Sequence, residues 1–350
     1  MKRIEQTLRA ILPVDQSWIR KASERQRELT KPPGSLGRLE DVANRCAAIR
    51  GTLMLTANRP RIVLFAADHG VCKERVSMYP QEVTTQMVLN FLRGGAAINC
   101  FARTMAIELK IVDVGVANAP SASGDLISRR VRAGTRNFCL QPAMTEDEMK
   151  SAIETGINLA NDASAAGCDL VGFGEMGIGN TTSASAIAIA LTGEPMDAMV
   201  GSGAGADADC MARKRSAIQR GLALHAASLG DPLGILRCLG GFEIAAICGF
   251  CLGAAARRLP ILMDGYIATA GAALAVRLCP ALVDYLFAAH CSAEPGHAPL
   301  LNMMGQEPLL DLGMRLGEGT GAALAIKLIQ ASVAAFTSMA TFSGAGVSNR

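Results

Sequence analysis

The stretch CDLVGFGEMGIGNTTSASAIAIALT, residues 168–192, decides the fold. It opens on a short apolar run that closes on glycines without polar alternation, the pattern of a strand buried on both faces of a parallel sheet. From residue 183 the chain is apolar over a helix length, so the stretch reads strand, glycine turn, helix. Gly172, Gly174 and Gly177 fit G-x-G-x-x-G, and Glu194 falls roughly where the ribose-binding acid of a dinucleotide fold would lie. Two details oppose that reading: the loop sits in mid-chain, and it carries Glu175. Gly177, Gly179, Asn180, Thr181 and Thr182 suit a separate anion site, because backbone N–H groups and hydroxyls at a helix N-terminus bind phosphate. A carboxylate in such a loop repels an anion, so Glu175 must have another task.

Outward from this unit the same pattern recurs at 61–70 (RIVLFAADHG), 109–118 (LKIVDVGVAN), 259–268 (LPILMDGYIA) and 284–297 (DYLFAAHCSAEPGH). Helix-length apolar segments, 183–192, 212–228, 240–257 and 268–278, lie between these runs. Alternation of this kind predicts an α/β fold, a parallel sheet with helices on both faces and a ligand site outside the carboxyl ends of the strands. The polar tips Asp68, His69, Asp113, Glu175, Asp264 and His290 all fall at those ends. Residues 1–58 read as helical, with a turn at TKPPGSLGRLE, and 320–337 as a final long helix that rejoins them. The expected division is a small helical domain, 1–58 with 325–350, and an α/β catalytic domain, 59–324.

Composition narrows the function. Half of the 350 residues are apolar and 36 are glycine, enough for a large core and many tight turns. A net charge of +3, spread along the chain, and only 4% aromatics fit small anionic substrates and give no case for nucleic acid. The N-terminus lacks an uninterrupted apolar segment, and the apolar stretch 267–289 is broken by Arg277, Pro280 and Asp284, so a cytoplasmic protein without a membrane span is expected. Eleven scattered cysteines fit reduced thiols, and Cys248 and Cys251 have core spacing on an apolar helix. No His-x-x-x-His or His-x-Glu spacing supports a metal, so His69 and His290 are expected to orient loops, and the AEPGH turn is read as structural.

Two further loops carry chemistry. In GSGAGADADCMARKR (201–215), Ser202, Gly203 and Gly205 precede Lys214 in the next helix, an arrangement suited to phosphate. Asp264 joins this phosphate and ribose set from its strand tip. In LGEGTGAALA (316–325), Glu318 stands between two glycines before a helix, where backbone and substrate can approach closely or where the acid simply favours the helix dipole.

Taken in order, these motifs, with ADHGV (67–71), YPQEVT (79–84), GGAAIN (94–99) and MDGYI (263–267), resemble the nicotinate-nucleotide–dimethylbenzimidazole phosphoribosyltransferase family almost end to end. The resemblance implies a Rossmann-like domain with a small helical domain, a homodimer and no metal or other cofactor. The implied substrates are nicotinate mononucleotide and 5,6-dimethylbenzimidazole, which yield α-ribazole 5′-phosphate and nicotinate. It makes Glu318 the general base, with Glu175 supporting it. It also lines the azole pocket with Ser77, Tyr79, Pro80, Gln86, Met87, Met176 and Leu316. The rival readings are a dinucleotide-dependent oxidoreductase using the Gly172 loop and a non-catalytic nucleotide-binding regulator.

Overall fold

The computed structural model describes residues 2–118, 124–203 and 205–348. Six strands form one sheet: β1 (Pro60–Ala67), β2 (Glu108–Gly115), β3 (Leu126–Ser128), β4 (Leu170–Met176), β5 (Ile261–Met263) and β6 (Leu286–Ala288). Their order is β3-β2-β1-β4-β5-β6 and every pairing is parallel. The expected α/β class is therefore correct. The chain starts in the middle of the sheet, winds out to β3, and returns to begin again at β4. The strand order reverses between β1 and β4, where open sheets of this kind leave a crevice for ligands.

Both central strands are apolar because both of their faces are covered: all eight residues of β1 and the first six of β4 are buried. Side chains alternate along β4 and show what covers each face. Phe173 turns towards the helix Phe242–Ala256, where Phe250 meets Phe65 and Phe173 edge-on at 5.8 and 6.2 Å. Gly172 and Gly174 turn the other way, onto Ala322 and the Glu318–Gly319 backbone at the start of the helix Thr320–Ser338. A side chain at Gly174 would overlap that backbone, so the glycine is what lets the loop lie on the sheet.

The helix Arg38–Arg50 packs against Gln16–Glu28 and against Thr320–Ser338, bringing the two ends of the chain together. The TKPPGSLGRLE turn is closed by Lys31, whose ammonium meets Glu40 at 2.6 Å, while Leu36 N–H donates to the same carboxylate. One cluster of buried apolar side chains runs from Ile4 to Phe336. Among the described helices, Thr320–Ser338 has the length and apolar composition to cross a membrane, but its Ala322, Ala325, Ile326, Ile329 and Phe336 are core residues here. Cys248 and Cys251 lie in the core as their spacing suggests, and burial pushes the Cys248 thiol up to about 12.

Candidate active site

A cavity of about 570 Å³ opens at the carboxyl ends of β1, β4, β5 and β6. The β1–β4 register pairs Phe65 with Glu175 and Ala66 with Met176, so the loops after both strands leave the sheet side by side. That register is what places the Glu175–Ile178 loop in the crevice.

One end of the site gathers groups that can hold an anion. A side pocket of about 60 Å³ gathers Ser77, Gly179, Thr181, Ser202 and Lys214, so the two glycine loops, remote in sequence, meet in space. Gly179, at φ +90°, caps the helix Asn180–Thr192 without a side-chain cap. Lys214, on the helix Ala208–Leu224, is almost wholly buried and donates to Thr181 Oγ1 and to the Gly201 carbonyl, both at 3.0 Å. Burial lowers its pKa, while the nearby Glu294 charge opposes that shift.

The other end carries the carboxylates. Gly317, Glu318 and Gly319 are three consecutive left-handed residues, at φ +84°, +64° and +88°. A non-glycine residue held in that region stores strain that the surroundings must impose. Here Asp264 imposes it: its carboxylate accepts the N–H groups of Gly319 at 3.1 Å and Ala322 at 3.0 Å, pinning the turn. Glu318 Oε2 accepts the N–H of Ile98 at 3.2 Å, in the first turn of the helix Ala97–Met105. Burial raises the Glu318 pKa, the Ile98 hydrogen bond opposes this, and the Asp264 charge adds to the rise. Glu175 lies between the two ends, hydrogen-bonded by the Asn180 amide and beside Gly317. Burial first, then the charges of Glu243, Asp264 and Glu318, hold its pKa well above the ordinary carboxylate range, so its protonated form is favoured.

Most of the expected residues are brought together. Glu318, Glu175, Gly177, Asn180, Thr181, Gly203, Tyr79, Met87, Met176 and Leu316 line the main cavity, and Ser77, Gly179, Ser202 and Lys214 line the side pocket. Others are placed elsewhere. Ser77 lines the side pocket rather than the main cavity, its hydroxyl accepting the N–H of Tyr79 at 3.1 Å. Pro80 and Gln86 are exposed and line neither pocket, because the helix Glu82–Leu92 presents Val83 and Met87, one turn apart, to the cavity. Thr182 is buried away from the cavity, Gly205 is exposed outside it, and Asp264 supports the Glu318 turn from below.

The two strand-tip histidines differ: His69 is tied into the fold, whereas His290 lines the main cavity with its Nε2 3.9 Å from Asp264 Oδ1. His69 Nε2 meets Glu243 Oε1 at 2.6 Å, and Asp68 Oδ2 accepts the N–H of Ala117 at 2.7 Å. The AEPGH turn is structural in His297, which holds the N–H of Ser292 at 2.8 Å and the Thr269 hydroxyl at 2.9 Å. Its Glu294, however, lines the cavity, as do Tyr266 and Arg315, and none of the three was anticipated. Arg315 donates to the Gly203 carbonyl at 3.0 Å, and its place directly before LGEG was the available signal. Among the described residues, no group of three His, Cys, Asp or Glu side chains has metal-binding geometry.

A switch-point cavity with a lysine-lined anion end facing buried carboxylates has the form of an enzyme that grips a phosphorylated substrate and moves a proton beside it. The phosphoribosyltransferase family model DBI_PRT matches residues 11–347, and the chain belongs to that family. Its relatives carry a narrower name, nicotinate-nucleotide–dimethylbenzimidazole phosphoribosyltransferase. The Geobacter sulfurreducens protein is 49% identical over 347 residues, 99% of each chain. That of Desulforudis audaxviator is 47% identical over 348 residues, again 99% of each. The crystal structure of CobT from Thermus thermophilus superposes with a TM-score of 0.90 at 46% identity, over 95% of this chain and 100% of that one. The resemblance carried by the ordered motifs is thus correct, the chain is a phosphoribosyltransferase, and the oxidoreductase and regulator readings fall away.

Proposed function

We propose that the cavity joins 5,6-dimethylbenzimidazole to the ribose of nicotinate mononucleotide, with Glu318 as general base, giving α-ribazole 5′-phosphate and nicotinate. The observation that carries this is a buried glutamate, held in a strained left-handed turn at the cavity wall, with its pKa raised by burial.

The chemistry follows from the substrates. A benzimidazole N–H is a very weak acid, so one ring nitrogen attacks C1′ effectively only as the proton on the other leaves. Glu318 takes that proton. The new C1′–N bond forms on the face opposite the nicotinate, the old one breaks with its electron pair going to the pyridine nitrogen, and a β-nucleotide becomes an α-riboside. The leaving pyridinium becomes neutral as it departs, so it needs no acid. Lys214, Thr181 and Ser202 hold the 5′-phosphate and fix the ribose in line. Glu175 lies between the phosphate loop and the base, and its raised pKa lessens the charge it sets beside Glu318. Tyr79, Met87, Met176 and Leu316 sandwich the azole, and Tyr79 and Leu316 are about half exposed at the mouth where it enters.

By the same resemblance we propose a cytoplasmic homodimer with the helical unit 1–58 and 325–350 set against the α/β unit 59–324. Incubating the protein with both substrates, and separating products by chromatography with mass detection, tests the reaction. A product of α-ribazole phosphate mass, absent with Glu318→Gln, is expected. No product from the native protein overturns the reading.

A further inference from the structure

Glu294 has no task in the reaction just described, yet it lines the cavity and is only 6% exposed. It follows Ser292 in the loop after β6, and its own N–H is held by the Ser292 hydroxyl at 3.3 Å. The adjoining Pro295 and the His297 hydrogen bonds fix the turn. The side chain lies against Gly201, whose missing Cβ leaves it room. Among the described residues nothing donates to its carboxylate: Oε2 is packed against Gly201 without a hydrogen-bond partner, and Oε1 is the oxygen left to face the cavity. Lys214, the charge that acts on it, spends two of its three N–H donors on Thr181 and Gly201 and makes no ion pair with Glu294.

A buried carboxylate without donors is costly unless a ligand supplies them. A phosphate cannot, since it is an acceptor of the same sign. Nor can the azole, whose single N–H goes to Glu318 at the opposite end. Hydroxyl groups can, and the substrate carries them on the ring between its phosphate and its base.

We propose that Glu294 accepts a hydrogen bond from a ribose hydroxyl of the mononucleotide and makes the enzyme choose ribose over deoxyribose. This deepens the transfer reaction proposed above and rests on it for the identity of the nucleotide. It also explains the position of Glu294 beside the phosphate lysine: a hydroxyl on C2′ or C3′ lies within a sugar's width of the 5′-phosphate. A site built around a substrate hydroxyl rejects the analogue that lacks it strongly, because its own polar group is then left unpaired.

The test uses nicotinate mononucleotide with its 2′-deoxy and 3′-deoxy analogues, on the native protein, Glu294→Gln and Glu294→Ala. Calorimetric affinity and kcat/KM with dimethylbenzimidazole are measured for each. The native protein should disfavour at least one analogue by about a hundredfold or more. Glu294→Ala should shrink that ratio to below about tenfold by losing the parent nucleotide while treating the analogue as before, and Glu294→Gln, which keeps an acceptor oxygen, should fall between them. An unchanged ratio for both analogues overturns the proposal, as does an equal loss for all three nucleotides, which marks a structural or phosphate-balancing role. The affinities decide this even without turnover, so failure of the transfer reaction and failure of the Glu294 assignment read out separately.

Discussion

Glu318 Oε2 and the backbone N–H of Ile98 meet at 3.2 Å, joining residues 220 positions apart. The GGAAIN motif thereby acquires a purpose. Asn99 Oδ1 accepts the N–H of Ala96 and Asn99 Nδ2 donates to the Phe91 carbonyl, which anchors the start of the helix and leaves the Ile98 donor for Glu318. The carboxylate is held by one oxygen. Replacing Glu318 with Gln should keep the fold and lower kcat by about 10²–10⁴, the usual worth of a positioned general base. Glu175→Gln should cost far less, and a steady-state comparison that reverses this ranking would reassign the base.

The raised Glu318 pKa sets the pH profile. As the proposed base, Glu318 works only when ionised, so kcat/KM should rise with pH along an acid limb placed above the ordinary glutamate value of 4.5. A limb at or below that value contradicts burial as the dominant influence.

Glu175 makes a separate prediction about stability. Its folded-state pKa lies well above 4.5, so the fold prefers the protonated acid. That stabilisation is complete below the unfolded value and is lost as pH rises through the folded one. Thermal melts from pH 4 to 8 should show Glu175→Gln gaining on the native protein as pH increases. A constant difference would mean that the carboxylate is not the group responsible.

Gly174→Ala probes the contact between strand and base. The added methyl would collide with the Glu318 carbonyl carbon and the Gly319 nitrogen, so the turn must shift. Overpacking of this kind costs about 1–3 kcal/mol. A misplaced base can cost about a hundredfold in rate. Chemical denaturation and turnover together check it, and full activity in this variant would show that the turn tolerates displacement.

Lys214→Met should raise KM for the nucleotide at least about tenfold while leaving affinity for the azole unchanged, as loss of a charge-assisted phosphate contact predicts. Because burial lowers the lysine pKa, nucleotide affinity in the native protein should weaken on the alkaline side earlier than an ordinary lysine would allow. Calorimetry against pH measures both.

Much of this was legible in the chain. The strands at 61–70, 109–118, 168–177, 259–268 and 284–297 announced themselves because burial on both faces demands apolar runs, and their polar tips marked the site. The edge strand β3 did not: three residues, of which Leu126 and Ile127 are only partly buried, give no period to read. The glycine loops exposed Glu175, which follows Gly174, and Glu318, which has glycine on both sides, because glycine beside an acid is a backbone signal. Glu294, Tyr266 and Arg315 were hidden because their role depends on side-chain direction, which tertiary packing decides. Asp264 was placed in the right neighbourhood with the wrong task, since a strand-tip acid can face a ligand or a helix N-terminus, and sequence does not say which.

The strained turn at Glu318 has a consequence for the order in which the protein becomes an enzyme. All six strands precede it in the chain, so a ribosome releases the complete sheet and both glycine loops before Glu318. The turn also needs Asp264 and the first residues of the Thr320–Ser338 helix to hold it left-handed. Glu318 is therefore the last residue of the cavity wall to be made, and its turn waits on the docking of the helix behind it.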